Sequence, residues 1–125
     1  VVNLSITPSI IDPGTSVTLT AVADDDLYSS LNGQEPTQKI ISARYSIDIP
    51  SWIAGSITYP MVASDGNYNS DNESLQAVID TTNLHAGPHI IFIEAMDDDG
   101  NWGGPSAIFL HVTGLTNTFI PLLVK

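Results

Sequence analysis

Residues 90–112 read IIFIEAMDDDGNWGGPSAIFLHV. Two apolar runs flank an acidic, glycine-rich turn. The first, Ile90–Met96, is β-branched and aromatic, with Glu94 as its only charge. The second, Ser106–Val112, has the same character. Between them stand Asp97, Asp98, Asp99, Gly100, Asn101, Gly103, Gly104 and Pro105, all turn formers. The pattern predicts a β-hairpin with a long loop, central to the sheet that carries it. Ile91, Ile93 and Ala95 are expected to face the core. Ile90 and Phe92 lie opposite, on a face expected to be partly covered.

Outward from this pair the same grammar repeats. Thr15–Asp24 alternates cleanly, with Val17, Leu19, Ala21 and Ala23 on one side, as a half-buried strand does. Ile40–Asp48 is predicted as a strand with Ile41, Ala43, Tyr45 and Ile47 inward and Ser42, Arg44 and Ser46 outward. Asn3–Thr7 and Ser74–Asp80 are further strands. Ser56–Ala63 is assigned to an edge, because Pro60 has no N–H for a central ladder. No helical periodicity occurs anywhere. The expectation is an all-β fold, an immunoglobulin-like β-sandwich of about seven antiparallel strands. It is assigned to residues 1–113, with 114–125 as a C-terminal tail. The apolar tail residues Phe119, Ile120, Leu122, Leu123 and Val124 are too few to span a bilayer. They are expected to form an extra edge strand or a sorting signal.

At 125 residues the chain is long enough for one domain with a real core. It has no cysteine, which excludes a disulfide framework, a thiolate metal site and a thiol nucleophile. Fourteen acids stand against three bases, Lys39, Arg44 and Lys125, for a net charge of −11. Such a chain does not neutralise phosphate, so nucleic acid and anionic membrane surfaces are poor partners. No apolar run is long enough for a membrane span. Val1 reads as an excision point, with targeting information outside this sequence. A monomer is expected.

Strands numbered in chain order and run alternately up and down send the loops to opposite ends. Loops 25–38, 64–73 and 97–104 then share one end. That end holds Asp24, Asp25, Asp26, Glu35, Asp65, Asp71, Glu73, Asp97, Asp98 and Asp99, ten of the 14 acids. Hard cations take six to eight oxygens, so the clustering suggests a structural Ca²⁺ site built on Asp24, Asp26, Asp97 and Asp99. The competing reading is a solvated acidic end. Asp97-x-Asp99-x-Asn101 resembles the start of an EF-hand loop, but Gly100 and Ile108 do not match what that loop needs.

Catalysis is not signalled. His85, His89 and His111 lack HExxH or comparable spacing, and GxSxG is absent. The aromatics Trp52, Trp102, Tyr59 and Tyr68 suggest a sugar-stacking platform. The alternative is that Trp102 plugs the end of the core and Trp52 covers a strand corner. Asn3-Leu4-Ser5 and Asn72-Glu73-Ser74 match the glycosylation sequon.

Several segments together carry a resemblance. They are Tyr45-x-Ile47-Asp48, Asp65-Gly66-x-Tyr68-x-Ser70, Ile79-Asp80-Thr81 and Ala95-Met96-Asp97-Asp98-Asp99-Gly100-Asn101-Trp102-Gly103. They resemble the immunoglobulin-like sandwich that follows the catalytic domain in some secreted bacterial zinc carboxypeptidases. The resemblance implies a non-catalytic accessory domain, secreted or at the cell surface. Its implied partners are a neighbouring catalytic domain of the same chain, or a cell-surface or extracellular polymer. It transfers no catalytic residue, because the peptidase's zinc ligands and catalytic glutamate have no counterpart here.

Overall fold

The computed structural model describes residues 1–24 and 39–114. Among the described residues there are nine strands: β1 (Val2–Thr7), β2 (Ile10–Ile11), β3 (Val17–Asp24), β4 (Ile40–Ile47), β5 (Thr58–Pro60), β6 (Val62–Ala63), β7 (Asn72–Ile79), β8 (Gly87–Asp97) and β9 (Ser106–Val112). They build two sheets, β1-β3-β7-β6 and β2-β9-β8-β4-β5. The chain is an immunoglobulin-like β-sandwich. All pairings are antiparallel except β2 with β9, which run parallel.

The core follows from the alternation. Val17, Leu19, Ala21 and Ala23 on β3 and Leu75 and Ile79 on β7 face Ile91 and Ile93 on β8 and Leu110 and Val112 on β9, all buried. The hairpin of β8 and β9 is central to its sheet, as its sequence predicts. β4 departs from the expected register at its start. A register shift between Ile40 and Ser42 buries Ile40 and leaves Ile41 exposed rather than inward. From Ala43 onward the alternation resumes, with Ala43 and Tyr45 buried.

The seven expected strands become nine for two local reasons. Ile10–Ile11 is a two-residue strand, too short for periodicity to reveal, with Ile11 buried beside Val112 and Ile10 exposed. The expected Ser56–Ala63 strand is split at Met61. β5 pairs with β4 in one sheet and β6 pairs with β7 in the other. Met61 crosses between them, 3% exposed, with its N–H donating to the Ala43 carbonyl. Pro60 sits on the sheet edge, where the missing N–H costs no ladder bond.

The two outward faces differ. The β1-β3-β7-β6 face carries Ser5, Thr7, Thr18, Thr20, Ser74 and Gln76, with Val62 and Val78 among them. The opposite face carries Ile10, Phe109, Ile90 and Phe92 in neighbouring registers, with Trp52 edge-on against Phe92. Among the described residues, no helix is long and apolar enough to cross a membrane.

Candidate functional site

Three places gather polar chemistry. The first is the acidic end. Asp24 closes β3 and Asp97 closes β8, and both line one small cleft with Ile40, Asn101 and Gly103. The Asp97 Oδ1 atom accepts the N–H groups of Asp99 and Asn101, each at 3.0 Å. That is an Asx-turn, and it gives the carboxylate the donors that its charge demands. Asp65 takes the Asn67 N–H in the same way. Glu73 is 2% exposed and accepts the N–H groups of Asn69 and Ser70 at 2.6 and 2.8 Å. Backbone donors therefore offset much of the repulsion among these acids. The structure brings Asp24 and Asp97 to one cleft. Asp99 stands exposed in the turn, and Asp26 lies outside the described residues, as do Asp25, Glu35 and the tail assigned to an edge strand or signal. Among the described residues, no three His, Cys, Asp or Glu side chains are grouped as metal ligands.

The second place is the other end, where β4 passes into the loop after it. His89 is 1% exposed. Its Nδ1 lies 2.6 Å from Asp48 Oδ2 and its Nε2 lies 2.8 Å from the His85 carbonyl. Both partners are acceptors, so both ring nitrogens must carry hydrogen for both bonds to form. That arrangement favours the imidazolium form. Burial pushes its pKa down, but the His85 carbonyl, the Asp48 hydrogen bond and the Asp48 charge together outweigh it, and the net shift is upward. Asp48 Oδ1 also accepts the Ile90 N–H at 2.9 Å. Beside this pair an open groove of about 280 Å³ runs between Ile49, Ile57, Tyr59, Asn83 and His85. Both ring nitrogens of His89 are thus engaged within the protein. His85 packs edge-on against it at 4.7 Å between ring centroids.

The third place is the aromatic outer face. Arg44 on β4 sits opposite Glu94 on β8. Three groups converge on Glu94 Oε1: Arg44 Nε and Nη2 and Ser51 Oγ, each at 2.6 Å. Glu94 is 6% exposed, so this pairing is what makes its burial tolerable. The Arg44 guanidinium lies 3.7 Å from the centroid of the Trp102 ring. Trp102 therefore stacks on the outer face instead of plugging the core. Trp52 meets Phe92 edge-on at 6.4 Å and remains 61% exposed. Ser46, which lines one cleft with Trp52 and Phe92, is 2% exposed, and its Oγ has no hydrogen-bond partner. An orphaned buried hydroxyl costs about 1–3 kcal/mol. Ser46 was expected to point outward and does, but loop residues cover it.

Sequence reasoning did not anticipate that Glu73, His89 and Glu94 would be buried. Glu94 carried a usable signal: it is the lone charge in an apolar run, and Arg44 is the lone arginine, also outward on its strand.

No protein-family model matches the sequence, and no curated protein does. Solved structures do. The chain is similar to fibronectin(III)-like modules of Clostridium thermocellum CbhA, at 18% identity and a TM-score of 0.47, over 90% of this chain and 97% of that one. It is also similar to part of the vertebrate membrane protein astrotactin-2, at 12% identity and a TM-score of 0.53, over 88% of this chain and 21% of that one. At such identities the likeness concerns the sandwich fold alone.

Proposed function

We propose that this chain is a non-catalytic accessory domain of a secreted bacterial hydrolase, with a carboxypeptidase-like catalytic domain as its neighbour in the same polypeptide. The observation that carries the reading is the contrast between the two outer faces. One sets Val78 at 68% and Val62 at 54% exposure among hydroxyls and amides, whereas the other carries larger and aromatic groups, with Ile10 at 66%, Phe109 at 67% and Trp52 at 61%. Exposed aromatic and large aliphatic side chains in neighbouring registers support an interaction surface. The segments resembling the carboxypeptidase-associated sandwich support the choice of parent. His89 is locked between two acceptors, which supports the absence of catalysis here. The test has two parts. The purified domain is expected to leave peptide and ester substrates intact. Removing it from the parent enzyme is expected to lower that enzyme's thermal stability or its retention on extracellular material. Hydrolysis by the isolated domain, or a parent indifferent to its removal, overturns the reading.

A second reading is a carbohydrate- or cell-surface-binding module, and the exposed Trp52 indole favours it. A Ca²⁺ ion at Asp24, Asp26, Asp97 and Asp99, proposed from the sequence, is compatible with either reading as a structural tie. Asp24 and Asp97 sharing one cleft supports it. Ca²⁺ bound only to the folded chain raises stability by about 2.7 kcal/mol at a hundredfold excess over its dissociation constant. A higher melting temperature in millimolar Ca²⁺ than in chelator is expected. Identical melts, with no heat of Ca²⁺ binding, remove the cation from the proposal.

A further inference from the structure

Ser46 is the one buried side-chain polar atom among the described residues that finds no partner. It lies in a cleft on the outer face of β4, lined also by Arg44, Trp52, Thr58, Phe92 and Glu94. The cleft is too tight to admit a water. Trp52, carried on the loop between β4 and β5, lines it and meets Phe92 edge-on at 6.4 Å. A side chain that exposed changes rotamer readily, on a timescale of nanoseconds or less.

An indole, a hydroxyl without a bond, a carboxylate and a guanidinium lining one cleft make a specific chemical combination. An aromatic face accepts the apolar C–H face of a pyranose, and an unpaired hydroxyl accepts or donates to a ring hydroxyl. Charge narrows the class further. With 14 acids against three bases, the molecule repels anionic polymers, and its Arg44 is already committed to Glu94. A neutral sugar meets no such penalty.

We propose that Trp52 and Ser46 form a subsite for one pyranose ring of a neutral polysaccharide, opened when Trp52 swings away from Phe92. The proposal rests on the surface-binding reading above and gives it a location and a ligand class. Binding supplies the bond that Ser46 lacks in the closed form, so the ligand is favoured by the same atom that the free protein leaves unsatisfied.

The experiment titrates the whole chain by calorimetry with neutral β-1,4-linked hexasaccharides of glucose, xylose and mannose, and with a galacturonate hexamer as the anionic control. Retention on the corresponding insoluble polysaccharides is measured alongside. At least one neutral hexasaccharide is expected to bind saturably, and the anionic one more weakly. Trp52→Ala is expected to weaken binding by about tenfold or more, the equivalent of about 1.4 kcal/mol. Ser46→Ala is expected to weaken it several-fold while its melting temperature holds or rises, because the variant discards an unsatisfied hydroxyl. A merely structural role for Ser46 would not separate affinity from stability in that way. Binding that persists unchanged in both variants, or that favours the galacturonate hexamer, overturns this subsite and leaves the surface-binding reading standing. No binding or retention with any neutral sugar overturns both.

Discussion

Asp48 adopts φ 64°, a left-handed conformation that aspartate tolerates better than most residues. The turn aims both of its carboxylate oxygens at β8, one at the His89 ring and one at the Ile90 N–H. Because the folded state raises the His89 pKa, the stabilisation is complete below the unfolded value of about 6.5 and is lost as pH rises through the folded value. Urea unfolding is therefore expected to show higher stability at about pH 5.5 than at pH 8.5 from this group. Asp48→Asn keeps the backbone conformation but removes the charge. It is expected to cost about 1–2 kcal/mol at the lower pH and to flatten the dependence. An unchanged pH profile in Asp48→Asn would show that the carboxylate does not hold the proton on His89.

At the scale of strands, β4 and β8 are joined across their outer face by Arg44 and Glu94. Arg44→Met leaves a buried carboxylate without its cation, an expected loss of about 3 kcal/mol in chemical denaturation. Adding Glu94→Leu is expected to recover most of that loss, since the cost lies in the stranded charge rather than in the missing attraction. Met61 joins the two sheets by packing where the chain crosses between them, and Met61→Ala is expected to cost about 2–5 kcal/mol. The strands themselves were legible wherever one face is buried for several residues, as at Val17–Ala23 and Ile91–Ala95. Ile41 misled because a bulge is a property of a pairing, and the partner strand is not visible in a local pattern. β2 left no trace because two residues cannot show a period. The polar sites were less legible still. His89 and Asp48 are separated by 41 positions, and Arg44 and Glu94 by 50, so each charge looks solvated until the fold supplies its partner.

The whole molecule carries a charge of −11, which opposes compactness at low ionic strength. Local pairs such as Asp97 with its two backbone donors do not cancel repulsion over longer distances. Raising monovalent salt from about 10 mM to 150 mM shortens the screening length to about 8 Å. The melting temperature is therefore expected to rise over that range in sodium chloride, with no divalent ion present. A flat or falling response would mean that attractive pairs dominate the field.

The parallel pairing of β2 with β9 has a mechanical consequence. β1 begins beside the start of β9, where Ser106 Oγ donates to the Val1 carbonyl at 2.8 Å, and β9 ends at the opposite pole. Tension applied between Val1 and Gly114 therefore pulls the two strands in opposite directions along their own axes. The hydrogen bonds joining Ile10–Ile11 to His111–Val112 and Thr113, including the Thr113 N–H to the Ile11 carbonyl, are loaded in shear, so they must fail together. A sandwich strung this way resists stretching better than one whose end strands peel apart bond by bond, a useful property where flow or a moving substrate drags on the protein.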